Sequence, residues 1–366
     1  MKVIISKANL TSLIGKVQSI IPTKPAIPIA ANILIEALND QLILTGTDLT
    51  VSMRVHAEAK VEQEGSITLP AKKFFQLIKE LTAPLVEIHL ESGEIATINS
   101  GSSYFKIHGM TKEEFPELPD ITSGSVIELP SQTLKEVLAK TAFAAARDDS
   151  RQMLNGVSLQ LIDSTALFIG TDGKKLAKAI TTLDTSSAAS GSYILPIKAV
   201  EEIVRLLDLK EDRVKATLLP DMIAVEVGAS LLISKLIAGQ YPDIARIIPE
   251  KQQNPIKLHR EELTSLLRQV SLFTTENSAS VRFTFTTGEL HLCANSGEIG
   301  EGKVHMPANF GGEKLEIAFN PNYFIDILRH SKDETVNFEV RDSYNPGMIT
   351  DSSNTLFVLM PMRLDV

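Results

Sequence analysis

The sequence predicts an α+β protein built from three tandem copies of one domain, each with two helices on antiparallel sheets. Three landmarks recurring in the same order carry this expectation. The first opens a helix: Ile5-Ser6-Lys7-Ala8-Asn9-Leu10, Leu129-Pro130-Ser131-Gln132-Thr133-Leu134 and Leu258-His259-Arg260-Glu261-Glu262-Leu263. Their final leucines recur roughly 124 to 129 residues apart, one ordinary domain length. The second opens another helix. Ile67-Thr68-Leu69-Pro70 precedes Phe74, Phe75 and Ile78; Ile194-Leu195-Pro196 precedes Val200, Ile203 and Leu207; Ala318-Phe319-Asn320-Pro321 precedes Phe324, Ile327 and Leu328. The third lies between them, Leu44-Thr45-Gly46-Thr47-Asp48 and Ile169-Gly170-Thr171-Asp172, with a decayed counterpart at Cys293-Ala294-Asn295.

Inside each copy the periodicity switches. Residues 7–20 put Leu10, Leu13, Ile14 and Val17 on one stripe at helical spacing. Leu34 to Leu38 and Gln41 to Thr45 read as strands around an Asn39-Asp40 turn. Residues 71–81 form the second helix. Val86 to Leu90, Ile95 to Asn99 and Tyr104 to His108 then read as strands around turns at Ser92-Gly93 and Gly101. Each copy is thus two helix-plus-sheet halves, and six helices grouped on one side of the sheets are expected. Phe115-Pro116-Glu117-Leu118-Pro119-Asp120 closes the first copy as Tyr241-Pro242-Asp243 and Pro249 close the second. The domains are placed at 1–125, 126–253 and 254–366.

Composition agrees: 366 residues at 43% hydrophobic can fill three ordinary cores. The start, Met1-Lys2-Val3-Ile4-Ile5-Ser6, is too short an apolar run for a signal peptide, and no apolar stretch approaches the roughly 20 residues of a membrane span. Cys293 is alone, which suits a reducing compartment, and a cytoplasmic location is expected.

A net charge of −9 argues against binding nucleic acid through the overall field. The charge is nevertheless sorted by element. The six expected helical segments hold fourteen basic and seven acidic side chains, about +7, leaving about −16 elsewhere. A positive helical surface and a negative sheet surface would hold a polyanion on one side and repel it on the other.

No motif for catalysis emerges. Gly170-Thr171-Asp172-Gly173-Lys174 has the wrong spacing for a P-loop, the seven histidines are scattered, and one cysteine cannot build a cysteine-rich zinc site. Asp48 and Asp172 recur at equivalent places, but an aspartate between threonine and a small residue at a strand end more readily accepts hydrogen bonds from a turn. No catalytic residue, metal or cofactor is expected.

Taken together, the three tandem copies, Thr171-Asp172-Gly173-Lys174-Lys175-Leu176, Tyr241-Pro242-Asp243, Leu154-Asn155-Gly156 and the terminal Met360-Pro361-Met362-Arg363-Leu364 resemble the bacterial DNA polymerase III β subunits, the replicative sliding clamps. The resemblance runs from Met1 to Leu364. It implies a head-to-tail homodimer closing into a ring, with helices lining a hole for duplex DNA and sheets outside. A heterologous interface that closes needs two complementary surfaces on one chain. The resemblance places one at Phe105 and Ile107 on an edge strand, with Lys73 nearby, and the other at Leu272 and Phe273, with Glu298 and Glu301 supplying opposite charge. Asn99, Ser102 and Tyr104 stand where relatives often have arginines.

The family also implies a pocket for short partner peptides carrying leucine and an aromatic residue. Its wall would be Leu154, Thr171, Gly173, Leu176, Pro242, Ile247, Val358, Met360 and Met362, the methionines on a terminal strand, rimmed by Arg151, Lys174, Lys175 and Arg246. The implied owners of such peptides are the DNA polymerase III α subunit, an ATP-driven clamp-loader complex and other proteins with clamp-binding motifs. Sequence-independent phosphate contacts would come from Lys24, Lys79, Arg147, Arg151, Lys198, Arg205 and Arg268. Many relatives have His-Arg at Lys174-Lys175, and some have aromatics at Gln152-Met153. Two other readings remain: a duplicated enzyme using Asp48, Asp172 or a single histidine, and a scaffold that never touches DNA.

Overall fold

The computed structural model describes residues 1–90, 93–183, 190–207, 211–252, 254–275 and 279–363. Ser92 of the expected turn, position 253 of the second boundary, Leu364 of the terminal motif and the last two residues, Asp365-Val366, lie outside this set. Six helices occur among the described residues: α1 (Lys7–Gln18), α2 (Ala71–Glu80), α3 (Ser131–Ala142), α4 (Ile197–Leu206), α5 (Arg260–Ser271) and α6 (Pro321–His330). Each follows a strand directly, α6 after the single residue Asn320. Ser6 caps α1 by accepting from the Asn9 N–H, His259 caps α5 through the Glu262 N–H, and Asn320 caps α6 through the Asn322 N–H. The buried face of α1 is Leu10, Leu13, Ile14 and Val17. Arg147 and Lys332, counted with the helices in the sequence, lie beyond the ends of α3 and α6.

The chain forms two compact units, and each takes in parts of two copies: Met1–Lys135 with Lys198–Ile237, and Glu136–Thr182 with Ser190–Ile197 and Ala238–Val366. The first unit contains an eight-stranded antiparallel sheet in which Val51–Glu58 of the first copy pairs with Ser230–Lys235 of the second, Ser230 opposite Val55 and Ser234 opposite Val51. The other unit repeats the arrangement. There Lys175–Thr182 of the second copy pairs with Thr355–Leu359 of the third, Leu176 opposite Val358. In both cases the third strand of one half-copy joins the third strand of another.

Two half-copies remain with smaller sheets. The strands after α2 join Lys2–Ser6 and Lys60–Gln63 in a five-stranded sheet ending in Ser103–His108; the strands after α5 join Leu315–Phe319 in a four-stranded sheet ending in Gly300–Pro307. Each of these edge strands is the third of its half-copy, the equivalent of a strand that is paired inside each unit.

Landmark glycines follow from helix packing. A Cβ at Gly46 would lie 2.4 Å from Val17 Cγ1 of α1, and one at Gly170 would lie 2.0 Å from the Thr141 carbonyl oxygen of α3. Only a residue without a side chain lets the helix rest there. In the third copy the core is aromatic, with Phe283, Phe319, Phe324 and Phe338 fully buried and Phe283 stacked on Phe324 at 5.1 Å.

Candidate functional site

The Thr-Asp landmark builds the same turn twice. Asp172 accepts from the Lys174 and Lys175 N–H groups at 2.8 and 2.9 Å, and Asp48 from those of Thr50 and Val51 at 2.8 and 2.7 Å. Thr171 donates to the Lys175 carbonyl at 2.7 Å while accepting from the Gly173 N–H; Thr47 makes the corresponding bonds to Val51 and Leu49. Both central residues are left-handed, Gly173 at φ 83° and Leu49 at φ 76°, and for leucine this costs about 1–2 kcal/mol. The other Asp48 oxygen holds Lys198 at 2.5 Å. Both carboxylates are thus spent on holding structure, which answers the catalytic reading of these residues.

Around the 171–175 turn the second unit gathers most of the residues assigned to the peptide pocket. Arg151 lies against Gly173, where a Cβ would be 3.3 Å from Nη2. Asp149 fixes the Arg151 guanidinium with bonds at 3.0 and 2.9 Å, and this holds the Asp149 carboxyl down at about 2. The Leu154 N–H donates to the Arg151 carbonyl. Tyr241 is buried beside Thr171 and Asp172, and burial drives its phenol well above the usual range. That position sets Pro242, which is exposed, next to the turn. From the other side the Met360 N–H donates to the Lys174 carbonyl at 2.9 Å.

Several side chains sit differently from the sequence expectation. Leu154, Leu176 and Val358 are almost wholly buried, so they form a floor, whereas Met360 is 41% and Ile247 37% exposed. The terminal strand stops at Leu359. Met360 and Met362 lie beyond it, and Met362 bridges to Ala318 through its N–H at 2.8 Å. Lys175 is not a rim cation: its side chain is 10% exposed, with Nζ 4.5 Å from the centre of the Tyr323 ring and Asp172 at 3.6 Å. Lys174 is exposed, as is Arg246, which lies 3.8 Å from Asp243. Tyr323 was missed in the sequence because it falls on the third copy's helix, where a tyrosine reads as ordinary amphipathic packing.

Among the cations assigned to DNA, pairing separates two groups. Lys198 is held by Asp48 and the Ile20 carbonyl, Arg205 by the buried Glu202 at 2.6 Å, and Arg151 by Asp149. Lys24, Lys79 and Arg268 are exposed and have no carboxylate partner among the described residues. Lys79 lies over the Phe75 ring at 4.2 Å. Arg147 is exposed just past α3. Among the described helical residues, basic side chains number twelve against seven acidic.

Both strips assigned to self-association lie at sheet edges. On Ser103–His108, Phe105 and Tyr104 are exposed while Ile107 is buried. Lys73 is exposed on α2. Leu272, the C-cap of α5, is 73% exposed. Phe273 instead packs inward over Gly302, where a Cβ would be 2.4 Å from its ring. Glu298 and Glu301 are exposed near the edge strand, with Ile299 between them, and Lys303 lies 2.8 Å from Glu301.

A tandem α+β chain with half-sheets joined across repeats and cationic helices defines a DNA-clamp type of protein. Residues 1–119, 128–243 and 245–363 match the N-terminal, central and C-terminal domains of the DNA polymerase III beta subunit. The beta sliding clamp of Chlamydia muridarum is 51% identical over 366 residues, covering 100% of this chain and 99% of the relative, and that of Salmonella typhimurium is 31% identical over 368 residues with both chains fully covered. A crystal structure of the DNA polymerase sliding clamp from Pseudomonas aeruginosa superposes with a TM-score of 0.95 at 27% identity, covering 100% of both chains. The chain belongs to the DNA polymerase III β-subunit family. It is a DNA sliding clamp, a processivity factor for the polymerase and not an enzyme. No described helix is long and apolar enough to cross a membrane.

Proposed function

We propose that two copies close head to tail into a ring around duplex DNA in the cytoplasm, each contributing three clamp domains bounded near 125 and 253. The observation that carries this reading is the pair of unfinished sheets. Inside each unit the third strands of two half-copies pair, and among the described residues Ser103–His108 and Gly300–Pro307 are the third strands without that pairing. Joining them between protomers applies the same rule once more, with Phe105, Tyr104 and Leu272 covered and Lys73 opposite Glu298 and Glu301. An exposed edge strand otherwise invites aggregation.

A closed ring cannot leave DNA sideways, so weak phosphate contacts suffice and permit sliding. Lys24, Lys79 and Arg268, without a carboxylate partner among the described residues, are the main contacts in this reading; Arg147 assists, and Lys198, Arg205 and Arg151 contribute less because their charge is shared. The surface around Pro242, Ile247, Met360 and Met362 receives leucine-and-aromatic peptides of the polymerase α subunit, the clamp loader and other partners. Methionines suit this task because they repack around different ligands.

Fluorescence anisotropy with short duplex DNA at low salt tests the charge assignment. Replacing Lys24, Lys79 and Arg268 together with Glu is expected to weaken binding and to flatten its salt dependence, by up to roughly 0.9 in the log–log slope for each phosphate contact removed. Replacing Lys198 and Arg205 should do less. A reversed order would move the DNA contacts to the paired cations.

A further inference from the structure

Two grooves related by the internal repeat differ in their charge. In the first copy, under the closing segment around Phe115, Glu36 on the sheet is held by Lys112 at 2.6 Å and lies 3.7 Å from Arg54. The chain supplies its own counter-ions there. In the second copy the corresponding groove lies under Tyr241 and Pro242 and encloses about 650 Å³. Gln160 stands for Glu36, Lys178 for Arg54 and Ala238 for Lys112. Lys178 is half-buried between Ile169 and Tyr241 and has no carboxylate partner among the described residues. Asp243 also lines the groove, but one of its oxygens lies 3.8 Å from Arg246 and the other accepts from the Ala245 N–H.

We infer that this groove receives an acidic side chain from the segment flanking a partner's leucine-and-aromatic core. The inference rests on the peptide-pocket reading, since Pro242 belongs to that pocket and lines this groove as well. A half-buried lysine with no carboxylate partner among the described residues is complementary to a carboxylate. The apolar walls, Leu167, Ile169 and Ile244, would take the carboxylate's methylene stem. The same position in the first copy shows the alternative, an intramolecular carboxylate, Glu36, that already pairs the cations of its groove. Lys178 thereby becomes a specificity-determining residue that favours acidic flanks over neutral ones.

Calorimetry on the full chain tests this with a leucine-and-aromatic core peptide, alone and with two aspartates appended at either end. At low salt at least one extended peptide should bind about fivefold more tightly than the core, the scale of one favourable ion pair. That advantage should disappear in Lys178→Ala and reverse in Lys178→Glu, while the core peptide binds all three proteins alike. An advantage that survives Lys178→Ala, or none in the parent, would overturn the groove assignment alone. Failure of the core peptide to bind the parent would overturn the pocket reading and this one with it.

Discussion

Leu272→Asp is expected to give a folded monomer at concentrations where the parent chain is a dimer. Leu272 caps α5 with its side chain 73% exposed, so the fold loses little when it changes. Covered by a second protomer, the same leucine would be an apolar anchor. Removing a large side chain from such a contact costs about 2–5 kcal/mol, and each 1.4 kcal/mol is about tenfold in the dissociation constant. A buried, unpaired carboxylate adds to the loss. Phe105→Asp should act equally from the opposite strip. Phe273 is a poorer probe, because it packs over Gly302 and its loss would also loosen the third copy. Sedimentation at several concentrations reads the result, and a Leu272→Asp variant still dimeric at nanomolar concentration would place the interface elsewhere.

Ending the chain before Met360 should abolish binding of a leucine-and-aromatic peptide while the dimer persists. The truncation removes the exposed Met360, the half-buried Met362 and their bonds to Lys174 and Ala318, all remote in sequence from Phe105 and Leu272. A few apolar anchors supply most of the energy in such contacts. The milder Met362→Ala and Arg246→Ala should each weaken the peptide by about 1–3 kcal/mol without changing oligomeric state. Unchanged affinity in all three, measured by calorimetry, would reduce the C-terminal segment to core.

The repeats make much of this architecture readable in the sequence. Helical spacing at Leu10, Leu13, Ile14 and Val17 locates α1, and the recurring landmarks separate the three copies, but the close approach of a helix to Gly46 and Gly170 is visible only in the structure. The sequence could not show which half-copies share a sheet. That depends on pairing between Val51–Glu58 and Ser230–Lys235, strands more than one full copy apart in the chain, and periodicity within a strand says nothing of its partner. Side-chain partners were hidden for the same reason. In sequence Lys198 reads as a helix cation and Lys175 as a rim charge, whereas in the fold Asp48 pairs Lys198 and the Lys175 ammonium lies over the Tyr323 ring. Positive charge is legible in sequence, whereas its neutralisation is a property of the fold.

Retention on DNA of different topology is the most direct measurement of the ring. Protein loaded onto a closed circle should remain bound at a salt concentration that removes ordinary electrostatic binders, and should be lost when the circle is cut once, because the ends then let the ring slide off. Equal retention on circular and linear DNA would contradict a topological link and point to direct groove binding instead.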